Sequence, residues 1–134
     1  MQKRRSLFGF MGAALLLGLT LIVSGSVCIR SAVYQEGLDA TKEWARLNDF
    51  PATATDVSIE NTGSLFSREF TVSFVAPLED ITSWLNLSPG TKDITPSVTG
   101  AVRTYEIEPG GGAQHADVEV DERTGTVRIN AYWS

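Results

Sequence analysis

The chain has 134 residues, is 43% hydrophobic and 20% charged, and carries 11 basic against 16 acidic side chains. That is enough chain for one domain and too apolar for intrinsic disorder. A single Cys excludes an internal disulfide, and a single His excludes a multi-histidine metal site.

The averages conceal a split. Residues 1–6 hold Lys3, Arg4 and Arg5, residues 7–29 hold no charged side chain, and Arg30 ends the run. As a helix those 23 residues would extend roughly 34 Å, and a bilayer core takes about 20 apolar residues. Three readings of the segment stay open: an uncleaved signal anchor; a secretory signal cut after Ser26, with Ser24 and Ser26 as the small residues; and a lipoprotein signal acylated at Cys28. All three keep the basic tip in the cytoplasm. The expected organisation is therefore residues 1–30 as basic tip and membrane-spanning anchor, and residues 31–134 as an extracytoplasmic domain. From Arg30 onward there are eight basic residues against all sixteen acids, a net charge of −8. That argues against nucleic acid and against lying flat on anionic lipid, and favours a solvated domain or a partner with a basic surface.

Residues 31–48 read as a helix, with Val33, Gly37, Ala40, Trp44 and Leu47 on one face and Pro51 as the stop. Residues 54–60 alternate with β-branched Thr55, Val57 and Ile59 on one side, and residues 68–75 alternate with Phe70, Val72 and Phe74. Asn61-Thr62-Gly63-Ser64 supplies the turn signal between them. Pro77 opens a second helix over 77–88, with Glu79 and Asp80 at its positive end and a stripe of Leu78, Ile81, Trp84, Leu85 and Ser88. Pro89-Gly90 ends it, and residues 91–100 read as a loop. Asn86-Leu87-Ser88 matches a glycosylation sequon on a helix, a poor place for an acceptor. Three strands close the chain: 101–108 with Tyr105 and Ile107 inward, 114–121 with Val118 and Val120, and 125–133 with Val127, Ile129, Ala131 and Trp133. The order helix-β-β-helix-β-β-β predicts an α+β domain, a small antiparallel sheet of about five strands with the helices packed on one face. Trp44, Trp84 and Trp133 are all expected in the core, and the last strand is expected to be needed for folding.

The last hairpin tests its own register. Pairing Val120 with Val127 and Val118 with Ile129 sets Glu119 opposite Arg128, a favourable cross-strand pair; a two-residue slip sets Asp121 there instead. If strands 101–108 and 114–121 are neighbours, the register that sets Glu106 against Glu119 and Glu108 against Asp117 gathers like charges. The candidate site is this acidic face of Glu106, Glu108, Asp117, Glu119 and Asp121, suited to a basic protein surface or to Ca²⁺. Side chains two apart on a flat strand converge poorly on one ion, so a protein partner is expected, with no metal and no cofactor. The alternative is a plain solvated face on strands that are not neighbours.

Enzyme signatures are weak. Gly110-Gly111-Gly112 has neither the Lys nor the helix start of a phosphate cradle. His115 and Asp117 share a strand face, but neither G-x-S-x-G nor S-x-x-K is present. A carboxylate pair needs a cleft that a small meander sheet offers little of. The expectation is a non-enzymatic binding or scaffolding accessory of another envelope component. The basic tip, apolar helix, continuing helix and antiparallel sheet together also resemble type IV pilins and pseudopilins, and Gly9-Phe10 is similar to their processing site. The resemblance covers the N-terminal segment, Ala14 stands where the family pattern has Glu, and it implies a filament subunit as the alternative function. Release as a small secreted domain is the other.

Overall fold

The computed structural model describes residues 31–134. The anchor, signal and lipoprotein readings and Gly9-Phe10 fall on residues 1–30, outside the described residues. Among the described residues no helix is long and apolar enough to cross a membrane. The chain divides into two compact units, Met1–Gln35 and Glu36–Ser134. The second holds the whole sheet.

Among the described residues the fold is α+β: two helices and a six-stranded antiparallel sheet. Helix α1 occupies residues 31–44. There follow β1 (Thr55–Ser64), β2 (Ser67–Val75), helix α2 (Leu78–Leu87), β3 (Ser97–Thr99), β4 (Val102–Ile107), β5 (His115–Asp121) and β6 (Thr126–Trp133). The spatial order is β1-β2-β6-β5-β4-β3, which puts the last strand in the interior of the sheet. The sixth strand, β3, lies within the stretch 91–100 expected to be a loop. Three residues are too few for an alternation to show, and Gly100, with φ +61°, turns the chain from β3 into β4.

Alternation builds the buried face. Phe74, Val127 and Val120 form one row across β2, β6 and β5. Val72, Ile129, Val118 and Tyr105 form the next, and Phe70, Ala131, Ala116 and Ile107 the third. Every member is buried. Removing one large side chain of this kind from water contributes roughly 1.5–3 kcal/mol, so these rows outweigh any surface pair. Helix α2 covers them with Ile81, Trp84 and Leu85. Trp84 stands edge-on to Phe74 (5.5 Å, 80°) and to Phe50 (6.1 Å, 70°). Phe50 also lies 5.0 Å from Phe74. Helix α1 covers the neighbouring region, Trp44 tilting against Phe70 at 5.3 Å.

Helix α1 stops at residue 44, short of the expected 48, and the stop is not Pro51. Arg46 takes φ +51°, its amide bonds the Glu43 carbonyl (3.1 Å), and the Leu47 amide bonds the Lys42 carbonyl (2.8 Å). This is a Schellman closure with Arg where Gly is usual, so the sequence hides it. The buried stripe is correspondingly Gly37, Leu38, Thr41 and Ala45, while Val33 is exposed. Lys42 locks the exit. Its ammonium bonds Asp49 (2.9 Å), pairs with Asp39 (3.0 Å) and sits 6.0 Å from the Phe50 ring centre. The Asp49 hydrogen bond holds the Lys42 pKa above its ordinary value, and Lys42 lowers that of Asp49 in return. Because a left-handed non-Gly residue costs about 1–2 kcal/mol and Gly adds unfolded-state entropy, Arg46→Gly is expected to stabilise modestly. A thermal melt should show Tm rising by a few degrees; a fall would mean that Arg46 packing outweighs the backbone strain.

Three further expectations are corrected. The β1–β2 turn falls at Leu65-Phe66, and Asn61-Thr62-Gly63-Ser64 belongs to the β1 ladder. A bulge between Thr55 and Ser58, with Asp56 at φ +52°, breaks the Thr55-Val57-Ile59 alternation. Trp133, the last residue of β6, is 41% exposed at the end of the sheet, whereas Trp84 is buried as expected.

Candidate functional site: the uncovered sheet face

The opposite face of the sheet is built from the other residue of each alternation. One row runs Glu60, Thr71, Asn130, Asp117, Glu106 across five strands, from β1 to β4. The next runs Ser58, Ser73, Arg128, Glu119, Thr104. Neither row contains an apolar side chain. The register of β5 on β6 is the expected one, with Val118 opposite Ile129, Val120 opposite Val127, and Glu119 opposite Arg128.

β4 and β5 are neighbours, but in a register two residues from the expected one. Glu106 stands opposite Asp117, and Glu119 opposite Thr104. A two-residue slip preserves both faces, so alternation alone does not choose between the two. The choice comes from the connecting loop, which closes on other elements. The Gly110 amide bonds the Trp44 carbonyl (2.8 Å), and the Gln114 amide bonds the Tyr132 carbonyl (2.8 Å). The observed register spares Glu119 a facing carboxylate and gives it Thr104 and Arg128 as cross-strand neighbours.

The five candidate acids therefore divide. Asp117 is only 8% exposed, and its carboxylate is satisfied: Asn130 Nδ2 donates to Oδ2 (2.9 Å) and His115 Nε2 to Oδ1 (2.8 Å). Thr71 Oγ1 extends the chain by donating to Asn130 Oδ1 (3.1 Å). A buried carboxylate without such donors would cost several kcal/mol; with them it anchors the face. Glu106 is exposed opposite it on β4, and Glu119, two residues along β5, is half-buried opposite Arg128 on β6. Asp121 is engaged by Arg123, whose amide bonds Oδ1 (2.9 Å) and whose Nε lies 3.6 Å away. Glu108 lies beyond the end of β4 and is exposed. The structure thus brings Glu106, Asp117 and Glu119 together and leaves Glu108 and Asp121 at opposite ends of the strands.

Sequence reasoning missed Thr71, Asn130 and Arg128 as parts of this face beyond the Glu119 pairing. Their signal was available, since each lies between two inward-facing apolar residues of β2 or β6. Arg128 and Thr71 line, with Ser58, Glu60, Ser73 and Thr126, a cleft of about 230 Å³. A second cleft, of about 360 Å³, lies between residues 48–53 and α2, where Thr53 Oγ1 donates to Asp80 Oδ2 (2.6 Å). Among the described residues no three Asp, Glu, His or Cys side chains are grouped to hold a metal ion. Among the described residues, the ring of His115 bonds Asp117 through Nε2 (2.8 Å).

The sequence matches no protein-family model and no curated protein, and the structure matches no solved structure.

Proposed function

We propose that this chain is a membrane-anchored, extracytoplasmic subunit that binds or scaffolds another envelope component, and that the uncovered sheet face is its contact surface. One observation carries the reading. Among the described residues, the sheet buries one face under both helices and leaves the other open, with two polar rows across five strands and Glu106, Asp117 and Glu119 at their acidic end. Rigid strands hold those groups, so a partner meets a preformed surface, and a basic patch is the complement to its charge. The membrane segment 7–29 supports the anchoring half of the reading through its length and lack of charge.

The test is cross-linking in native membranes followed by intact-protein mass spectrometry. The expected result is one enriched partner, linked to residues of the outer face. The double substitution Glu106→Lys and Glu119→Lys should reduce that link at least about tenfold, because reversing two charges opposite a basic surface costs more than 1.4 kcal/mol. Links that survive the double substitution would place the contact elsewhere. Self-links alone, with an N-terminus cut after Gly9, would make the chain a filament subunit instead. A chain cut near Ser26 and recovered outside the membrane would make it a secreted domain.

A further inference from the structure

The most exposed large apolar side chains in the described chain are adjacent. Leu65 is 96% exposed and Phe66 82%. They are the two central residues of the β1–β2 turn, and turn chemistry does not account for them. Two-residue hairpin turns favour Asn, Asp and Gly at positive φ, and neither Leu65 nor Phe66 has a positive φ. The turn is held instead by a serine collar. Ser64 and Ser67 pair across it, their hydroxyls share a hydrogen bond (3.1 Å), and the Phe66 amide donates to Ser64 Oγ (3.2 Å). The collar fixes the backbone and leaves both side chains pointing away from the fold. The turn also overhangs the sheet, because the β2–β6 ladder ends at Arg68 opposite Trp133.

The place of this tip says what it meets. Arg68 Nη1 lies 4.0 Å from Glu36 Oε1, so the overhang is at the corner of the domain where Glu36 enters it. Arg30, the end of the uncharged run, is six residues before Glu36. However those residues are arranged, they reach at most about 21 Å. The tip is therefore within a short tether of the bilayer surface that the segment 7–29 would define. The domain is too acidic to be drawn down by anionic headgroups. An uncharged apolar pair on a rigid turn is the kind of contact that remains open to it.

We propose that Leu65 and Phe66 insert into the interface of the same bilayer and give the domain a second point of attachment. The proposal rests on the membrane-anchored reading above. Two side chains hold a free domain weakly. On a tethered domain the same contact is intramolecular, at an effective concentration in the millimolar range, and it sets orientation more than affinity.

The test uses the full-length chain with Cys28→Ser, reconstituted in phosphatidylcholine vesicles. A nitroxide is placed on a single new cysteine at Thr20, Leu65 or Thr124. Thr124 lies in the β5–β6 turn, at the other end of the sheet. Collision rates with oxygen and with a water-soluble nickel chelate then report depth. The expected result is an oxygen-to-nickel ratio at 65 several-fold above that at 124, alongside a high ratio at 20. Adding Phe66→Asp should bring the ratio at 65 down to that at 124 and leave 20 unchanged. A ratio at 65 equal to that at 124, with 20 still oxygen-rich, overturns the tip contact and keeps the anchor. A water-exposed label at 20 overturns the anchor and the tip contact together. Shielding of 65 from both reagents overturns the lipid contact in favour of a protein, either a second copy or a partner.

Discussion

Phe74→Ala is expected to destabilise the protein by about 3–5 kcal/mol, the range for removing a buried Phe. The side chain is 1% exposed, and its ring touches both Phe50 and Trp84. It is the point where β2, helix α2 and the segment after α1 meet. The space cannot close easily, because Trp84 is held by its indole N–H on the Asn48 carbonyl (3.1 Å). Against a total stability of about 5–15 kcal/mol, such a loss takes a large share of the whole. Urea unfolding of the detergent-solubilised full-length chain, followed by tryptophan fluorescence, measures it. Phe66→Ala is the internal control, expected within about 0.5 kcal/mol of the parent because the ring packs on nothing in the domain. A Phe74→Ala loss below about 1 kcal/mol, smaller than a typical core truncation, would mean that the aromatic cluster is not the centre of the core.

Gly125→Ala is expected to cost about 2–3 kcal/mol, from two separable causes. Gly125 has φ +67°, where any side chain brings a left-handed penalty. A Cβ there would also lie 2.5 Å from the Ala76 carbonyl oxygen. That oxygen cannot retreat freely, because the Ala76 amide bonds the Gly125 carbonyl (3.0 Å) and the Gly125 amide bonds the Asp121 carbonyl (2.9 Å). The turn between β5 and β6 is thus joined to the end of β2, next to the start of α2. Gly100 separates the causes, for it has φ +61° and nothing within 4 Å of an added Cβ. Gly100→Ala should show the conformational penalty alone, about 1–2 kcal/mol. Equal Tm losses for the two variants would mean that the close approach at Ala76 is relieved without cost.

What the sequence made legible follows from periodicity. Phe70, Val72 and Phe74, and Val127, Ile129 and Ala131, alternate without interruption, and each strand was found with its inward face correct. The register of β5 on β6 was legible too, because Val118, Val120, Val127 and Ile129 agree with Glu119 and Arg128. The register of β4 on β5 was not. Its two candidates bury the same residues, and they differ only in how loop 108–114 closes, which depends on the Trp44 carbonyl far away in the chain. The end of α1 was hidden because Arg46 performs a glycine's role. The β1–β2 turn was hidden because the favourable turn residues 61–64 sit inside the ladder while Leu65 and Phe66 make the bend. Of the acidic face, the membership of Glu106, Asp117 and Glu119 was legible from alternation. The β5–β6 register also sets Asn130 opposite Asp117, but Thr71, which holds Asn130 in turn, was not legible, since it arrives from β2, whose place beside β6 the sequence does not reveal.

The strand order has a consequence for how the chain acquires its structure. Thr71 and Asn130, hydrogen-bonded neighbours on the open face, are separated by 59 positions in the sequence. Among the described strands, the β1–β2 hairpin joins the others only through β6, which comes after all of them in the chain. Before β6 arrives, Phe70, Val72 and Phe74 have no sheet beside them to complete the core. Long-range closure of this kind is late and slow, because loop entropy is lost before the contacts that offset it are gained. The complete sheet therefore forms only once β6 is in place between β2 and β5. The same topology that makes the finished sheet cooperative also makes its closure a late, all-or-none event.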